Sequence, residues 1–167
     1  MFNYTTTFFR RMFWVNAGSV YSAGMEGADP KLVIRLGATS RPNGISVDFP
    51  GGRLYWADDK GTIESCTLDG ADHYVIANIR NSRPAGIDVI GDHLYWGGIN
   101  GKMVWRLSKR FSSNVTSAVL VHSGGDEVHS IGVFDSAKQP KHRANSCKNS
   151  GCPGLCVLSG KDSFRCL

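Results

Sequence analysis

The amino-acid sequence predicts an all-β chain: repeated four-stranded units of about forty residues, then a small module held by disulfides. Three observations predict it. Tryptophans recur at Trp14, Trp56 and Trp96, 42 and then 40 residues apart, each within a similar apolar stretch. Twenty glycines lie with Asp and Asn between aromatic and β-branched runs, the composition of short strands joined by turns. Four of the five cysteines crowd into the last twenty-odd residues. No long segment carries apolar residues at helical spacing.

The units can be followed in order. The first begins at an aromatic strand, Met12-Phe13-Trp14-Val15-Asn16, continues through Val20-Tyr21-Ser22-Ala23-Gly24 and closes at Lys31-Leu32-Val33-Ile34. The second opens earlier in the pattern, at Arg41-Pro42-Asn43-Gly44-Ile45-Ser46-Val47-Asp48. Leu54-Tyr55-Trp56-Ala57-Asp58, Ile63-Glu64-Ser65-Cys66-Thr67-Leu68-Asp69-Gly70 and Tyr74-Val75-Ile76 follow it. The third repeats this as Arg83-Pro84-Ala85-Gly86-Ile87-Asp88-Val89, Leu94-Tyr95-Trp96-Gly97-Gly98, Met103 to Lys109 and Val119-Leu120-Val121. Val128 to Phe134 reads as the opening strand of a further unit.

Four strands in about forty residues is the size of a propeller blade. The Gly-Ile-x-Val strand is small and apolar, as suits the crowded strand nearest an axis. The Tyr-Trp strand carries bulk to fill the space between stacked sheets. Leu-Asp-Gly supplies a turn in which glycine takes positive φ. One blade cannot bury both its faces, so its stability must come from its neighbours.

Hydrophobic residues make up 41% of the 167 and charged residues 20%, a globular balance. The net charge of +5 is scattered over Arg10-Arg11, Lys109-Arg110 and Lys138, Lys141 and Arg143. Nucleic-acid binders gather such charge on one face, so no nucleic-acid partner is expected. No run of about 18 apolar residues is present, so no part of this segment is expected to insert into a membrane. Four close cysteines in a core-poor segment imply an oxidising compartment, and the sequons at Asn3 and Asn114 are candidate glycosylation sites. Arg10-Arg11 interrupts the one candidate signal-peptide core. Extracellular chemistry without an entry signal leads us to expect a piece of something longer.

Leu-Tyr-Trp-Ala-Asp with Ile-x-x-Cys-x-Leu-Asp-Gly, preceded by Arg-Pro-x-Gly-Ile-x-Val-Asp, resembles the YWTD repeat, the class B repeat of low-density-lipoprotein-receptor-type proteins. The resemblance runs from about Phe9 to Leu167. It includes Gln139-Pro140, Asn145-Ser146-Cys147 and the Cys152-Pro153-Gly154-Leu155-Cys156 tail, which is similar to the epidermal-growth-factor-like module that follows such propellers. It implies a partial YWTD propeller over residues 8–137, a linker over 138–146 and a truncated growth-factor-like module over 147–167. The motif residues are then Trp14, Asn16, Tyr55, Trp56, Asp58, Tyr95 and Trp96. The motif's final Asp survives at Asp58, is near-matched by Asn16 and is lost at Gly98, so the third blade is expected to be less constrained. The family builds six blades. Three blades and one strand predict an open arc in which Ile131 and Val133 lack cover, and a chain that aggregates, dimerises or binds a hydrophobic dye when expressed alone.

Sequence alone allows three pairings of the four clustered cysteines. Their gaps of four, three and nine residues argue against a zinc site built from paired knuckles. The resemblance implies Cys147–Cys156 and Cys152–Cys166. Cys66 takes the repeat position of Ala23 and reads as a small buried thiol. The segment before Cys147, from His142 to Ser146, has no carboxylate, so calcium is not expected, nor is any other metal or cofactor. The five histidines lie in no catalytic motif, and we expect no enzyme; a pH-sensing role for His93 or His129 is the sharper alternative to a solvated imidazole. The resemblance implies an extracellular ligand-binding or structural segment of a lipoprotein-receptor-like endocytic or signalling receptor, outside a single-pass membrane. The alternative is a matrix, nidogen-like interaction propeller. In both, the partner is an extracellular protein that the sequence does not name.

Overall fold

The structure is a computed structural model and describes residues 11–79, 83–98, 102–110, 118–135, 138, 147–158 and 163–166. All the regular elements among them are β-strands. The first sheet has three: β1 (Arg11–Asn16), β2 (Ser19–Gly24) and β3 (Lys31–Arg35), in that order. The second is β4 (Pro42–Asp48), β5 (Arg53–Asp58), β6 (Thr62–Thr67) and β7 (Tyr74–Asn78), again in sequence order. The third is β8 (Pro84–Ile90), β9 (His93–Gly98), β10 (Met103–Ser108) and β11 (Val119–Ser123). A short hairpin of β12 (Cys156–Leu158) and β13 (Phe164–Cys166) stands near the C-terminus. All pairings are antiparallel. The fold is a partial β-propeller followed by a small disulfide-held module.

Equivalent residues take equivalent registers. Trp56 faces Ile45 and Glu64 across its two ladders, and Trp96 faces Ile87 and Trp105. The register slips once between the last two strands of each sheet, at Val20/Tyr21, Ile63/Glu64 and Val104/Trp105. Each slip is a β-bulge at one repeat position, and a bulge sharpens local twist, as the outer strand of a blade requires.

Two cores fill the two spaces between blades. Val20 meets Leu54, Trp56, Cys66 and Leu68 between the first and second sheets. Tyr55, Ala57, Ile63 and Ile76 meet Ile87, Val89, Leu94, Trp96 and Leu107 between the second and third. The strands nearest the axis touch through glycine: a Cβ built on Gly44 would lie 2.9 Å from the Gly86 Cα, so the Gly-Ile-x-Val pattern marks a backbone approach no side chain permits.

Residues 128–134 join no sheet. They lie along β8 instead: a Cβ on Gly86 would stand 3.2 Å from the Ile131 N, and the Val133 N–H donates to Asp88 Oδ2 at 2.6 Å. The segment stacks on β8 as β8 stacks on β4, but it has no hydrogen-bonded strand beside it. Ile131 and Val133 are half-buried, and Phe134 is fully exposed.

Candidate functional site

Trp56 and Trp96 are wholly buried, at 0% and 1% exposure, and Trp56 also stacks on His73 with ring centroids 5.4 Å apart. Trp14 stacks on Tyr21 at 5.8 Å but stays 36% exposed, because no sheet covers its outer face among the described residues. Burial pushes the Tyr55 hydroxyl up to about 12, helped by the nearby Asp48 charge. Tyr95 is half-buried, and Asn16 is exposed at the end of β1.

Asp58 is the buried staple of the second blade, 1% exposed. Its Oδ2 accepts from Ser40 Oγ at 2.5 Å and from the Arg41 N–H at 2.8 Å, while Oδ1 accepts from the Lys60 N–H at 2.9 Å. One carboxylate thus ties the chain entering β4 to the turn leaving β5. A buried carboxylate survives only with such partners. Gly98 brings no side chain to this position in the third blade.

A second polar line runs across the blades near the axis. Ser46 Oγ donates to Asp88 Oδ1 at 2.7 Å, and Lys138 ion-pairs with the same carboxylate. Burial works to raise the Asp88 pKa, but Lys138, the Val133 N–H and Ser46 outweigh it and hold the group below the usual carboxylate range. Lys109 Nζ reaches back to Asp48 Oδ2 at 2.5 Å, and Asn43 Nδ2 donates to the Pro84 carbonyl at 3.0 Å. Lys138, placed by the sequence at the start of a linker, is therefore an anchor onto the third blade.

Sequence reading missed a repeated clamp at the opposite end of the strands. Arg53 Nε donates to Ser65 Oγ at 2.8 Å, its other nitrogens reach the Asp72 side chain and carbonyl, and its guanidinium lies 4.6 Å over the Tyr74 ring. Arg11 does the same one blade earlier with Ser22 Oγ and the Asp29 carbonyl. Asp29 and Asp72 both sit at positive φ, 53° and 48°. The signal was present: Arg11/Arg53, Ser22/Ser65 and Asp29/Asp72 all recur at the repeat spacing.

The registers sort the exposed charges by end. Arg35, opposite Ser19, lies at the same end as Arg41 and Arg83, which precede Pro42 and Pro84, and as Lys60 and Lys102, which sit in the hairpin turns. All five are exposed. Asp59 is there too but is bound to Arg83 at 2.8 Å, which holds its carboxyl below the usual range; Asp126 and Glu127 follow β11 at this end. The opposite end carries Glu26, Asp29, Asp69, Asp72 and Asp92 in its loops. Lys31 and Arg110 are exposed at that end as well, paired with Asp29 and Asp92, so what sets the first end apart is its exposed cations on three consecutive blades.

In the terminal module Cys147 is bonded to Cys156 and Cys152 to Cys166, with Cα atoms 5.9 and 5.5 Å apart. Cys66 is free and buried, and burial pushes its thiol up to about 12, which removes it as a nucleophile. His73 Nε2 is held by Glu64 at 2.8 Å, so no described nucleophile has it as a base. His93 stands beside Tyr95, and His129 is exposed. Asn3 and Asn114 lie outside the described residues. Among the described residues no group of three metal-ligating side chains converges, and no helix is long and apolar enough to cross a membrane.

No protein-family model matches the chain. It is 28% identical over 159 residues to mouse low-density lipoprotein receptor-related protein 5, covering 90% of this chain and 9% of that protein. It is 26% identical over 160 residues to the vitellogenin receptor of Solenopsis invicta, covering 93% of this chain and 9% of the relative. The chain is thus similar in sequence to a low-density lipoprotein receptor-related protein and to a vitellogenin receptor over about nine-tenths of its length. It spans about a tenth of the length of these relatives. A solved nidogen/laminin complex contains a chain with the same fold, at TM-score 0.60 and 22% identity over 70% of this chain and 45% of that one. A luciferin-regenerating enzyme also shares the fold, at TM-score 0.54 and 14% identity over 75% of this chain and 47% of the other. The fold is thus shared by a chain of a nidogen/laminin complex and by an enzyme, and does not by itself assign a role.

Proposed function

We propose that this chain is an extracellular ligand-binding segment of a lipoprotein-receptor-like endocytic or signalling receptor, and that its protein ligand presents an acidic stretch to the basic end of the blades. The observation that carries the reading is the register, which gathers Arg35, Arg41, Lys60, Arg83 and Lys102 at one end of three consecutive blades. Blade turns are rigidly held: Asp58 fixes the Arg41 and Lys60 backbones, and Asp59 fixes Arg83. Held in this way, basic side chains meet a carboxylate-bearing partner at a reduced entropic cost. The receptor homologues support an extracellular binding role, and the disulfides support an oxidising compartment. The residues 8–137, 138–146 and 147–167 are the proposed propeller, linker and growth-factor-like module, and Asn3 and Asn114 the proposed glycan sites.

Titration with a fluorescent Asp/Glu-rich peptide tests this. Binding should weaken at least tenfold between low and high salt, and at least tenfold in Arg41→Glu/Lys60→Glu/Arg83→Glu, whose far-ultraviolet spectrum should stay that of the parent. A peptide that binds the triple variant equally well, or does not bind the parent, would remove the basic end as the ligand surface.

A further inference from the structure

We propose that Arg41 takes a carboxylate of the protein ligand in a two-pronged pair, for which Arg83 and Asp59 supply the pattern one blade further on. The inference rests on the ligand reading above and names, among its five cations, the one whose fork is open. Arg41 and Arg83 hold the same place in the repeat, each just before the proline that starts an inner strand. Both are exposed at the same end of the blades. Arg83 already holds a carboxylate. Its Nε donates to Asp59 Oδ1 at 2.8 Å and a terminal nitrogen donates to Oδ2 at 3.2 Å, so the guanidinium meets both oxygens of one group. Such a fork is stronger and more directional than contact with a point charge. The pair joins the turn between β5 and β6 to the entry of β8, and its side chains stay 24% and 55% exposed. A carboxylate arriving from solvent can reach a fork placed in this way.

One blade earlier, Ala17 stands where Asp59 does, directly after the residue that ends the aromatic strand. The turn there is one residue shorter, yet the two junctions are joined alike. The Leu36 N–H donates to the Gly18 carbonyl at 2.8 Å, as the Ile79 N–H donates to that of Gly61 at 2.6 Å. A Cβ on Gly18 would lie 3.3 Å from the Ser40 carbonyl oxygen, so the turn rests against the residue before Arg41. The methyl group of Ala17 accepts no hydrogen bond, and the Arg41 side chain has no ion pair among the described residues. Its backbone, in contrast, is held on both sides. The Arg41 N–H donates to Asp58 Oδ2 at 2.8 Å, and its carbonyl accepts from the Asp59 N–H at 2.9 Å. Lys60 Nζ donates to Thr39 Oγ1 at 2.8 Å, which brings a second positive charge to the stretch that leads into Arg41. A held backbone, an open fork and a nearby ammonium suit an aspartate or glutamate side chain of a partner protein.

The fluorescent Asp/Glu-rich peptide, titrated against conservative variants, separates a fork from bare charge. Arg41→Lys keeps the charge and removes the fork, and should weaken binding roughly fivefold or more. Arg110→Lys, the same change at the opposite end, should bind as the parent does. Asp59→Ala empties the Arg83 fork and should bind roughly threefold more tightly, a gain that a misfolded chain cannot give. That gain should vanish in Asp59→Ala/Arg83→Lys, which keeps the second charge without its fork. Equal binding by Arg41→Lys and the parent overturns the proposal, and leaves the ligand reading standing if Arg41→Glu/Lys60→Glu/Arg83→Glu still binds weakly. A gain in Asp59→Ala that survives Arg83→Lys overturns it too, since charge alone would then account for the binding. A parent that binds no such peptide removes both.

Discussion

The second and third blades are built from one repeat and yet are held differently. In the second, both faces are covered, the outer strand β7 buries Ile76 and Ala77, and Asp58 ties three backbone and side-chain donors at the rim. In the third, every residue of β11 is exposed and position 98 is a glycine with nothing to offer those donors. Strand order and register are the same in both. What differs is the neighbour. A repeat sequence sets the shape of a blade, but the blade on each side sets how much that shape is worth.

Three changes sharpen the comparison. Ile76→Ala removes buried contact between blades and should cost roughly 2–4 kcal/mol, while Val121→Ala, at the same place in the third blade, should cost under about 1 kcal/mol. Both are read by urea melts. Equal costs would mean that β11 has cover the single chain does not show. Asp58→Ala strips three donors of a buried charged acceptor and should cost about 3 kcal/mol in the same melt. A cost near zero would reduce the rim staple to ornament.

The smallest effect depends on pH. Asp88 has a lowered carboxyl pKa in the fold, so its stabilising contribution is fully present above the unfolded value of about 3.9 and is lost as pH falls through the folded value. Asp88→Asn should be less stable than the parent by about 2 kcal/mol at neutral pH, and the gap should narrow only below about pH 4. A gap that widened on acidification would reverse the sign of the Asp88 network and refute it.

Much of this was legible because the repeat is written in large residues. Trp56 and Trp96 announce their own burial, and Asp58 is marked by its place at the end of the aromatic strand. The Arg53–Ser65–Asp72 clamp was not legible in the same way. A single Arg or Asp in a Gly-rich loop reads as solvated surface, and only the register of β5 against β6 shows that Arg53 reaches Ser65 and then the loop beyond. The Lys138 pairing was hidden for a related reason: its partner Asp88 is 50 residues away, and the sequence holds no local sign of it. Residues 128–134 carry the pattern of a strand but not its hydrogen bonds, since a strand's conformation is fixed by a partner as well as by its own residues.

The middle blade, covered on both faces by its neighbours, is the stable heart of the arc. Amide hydrogen exchange followed by mass spectrometry at submicromolar chain tests it most directly, because exchange reads local opening strand by strand. Peptides spanning β5 and β6 should exchange slowest, and those spanning β11 should exchange at least tenfold faster. If β11 is protected as well as β5 and β6 are, the third blade is as firmly covered as the second and the account fails.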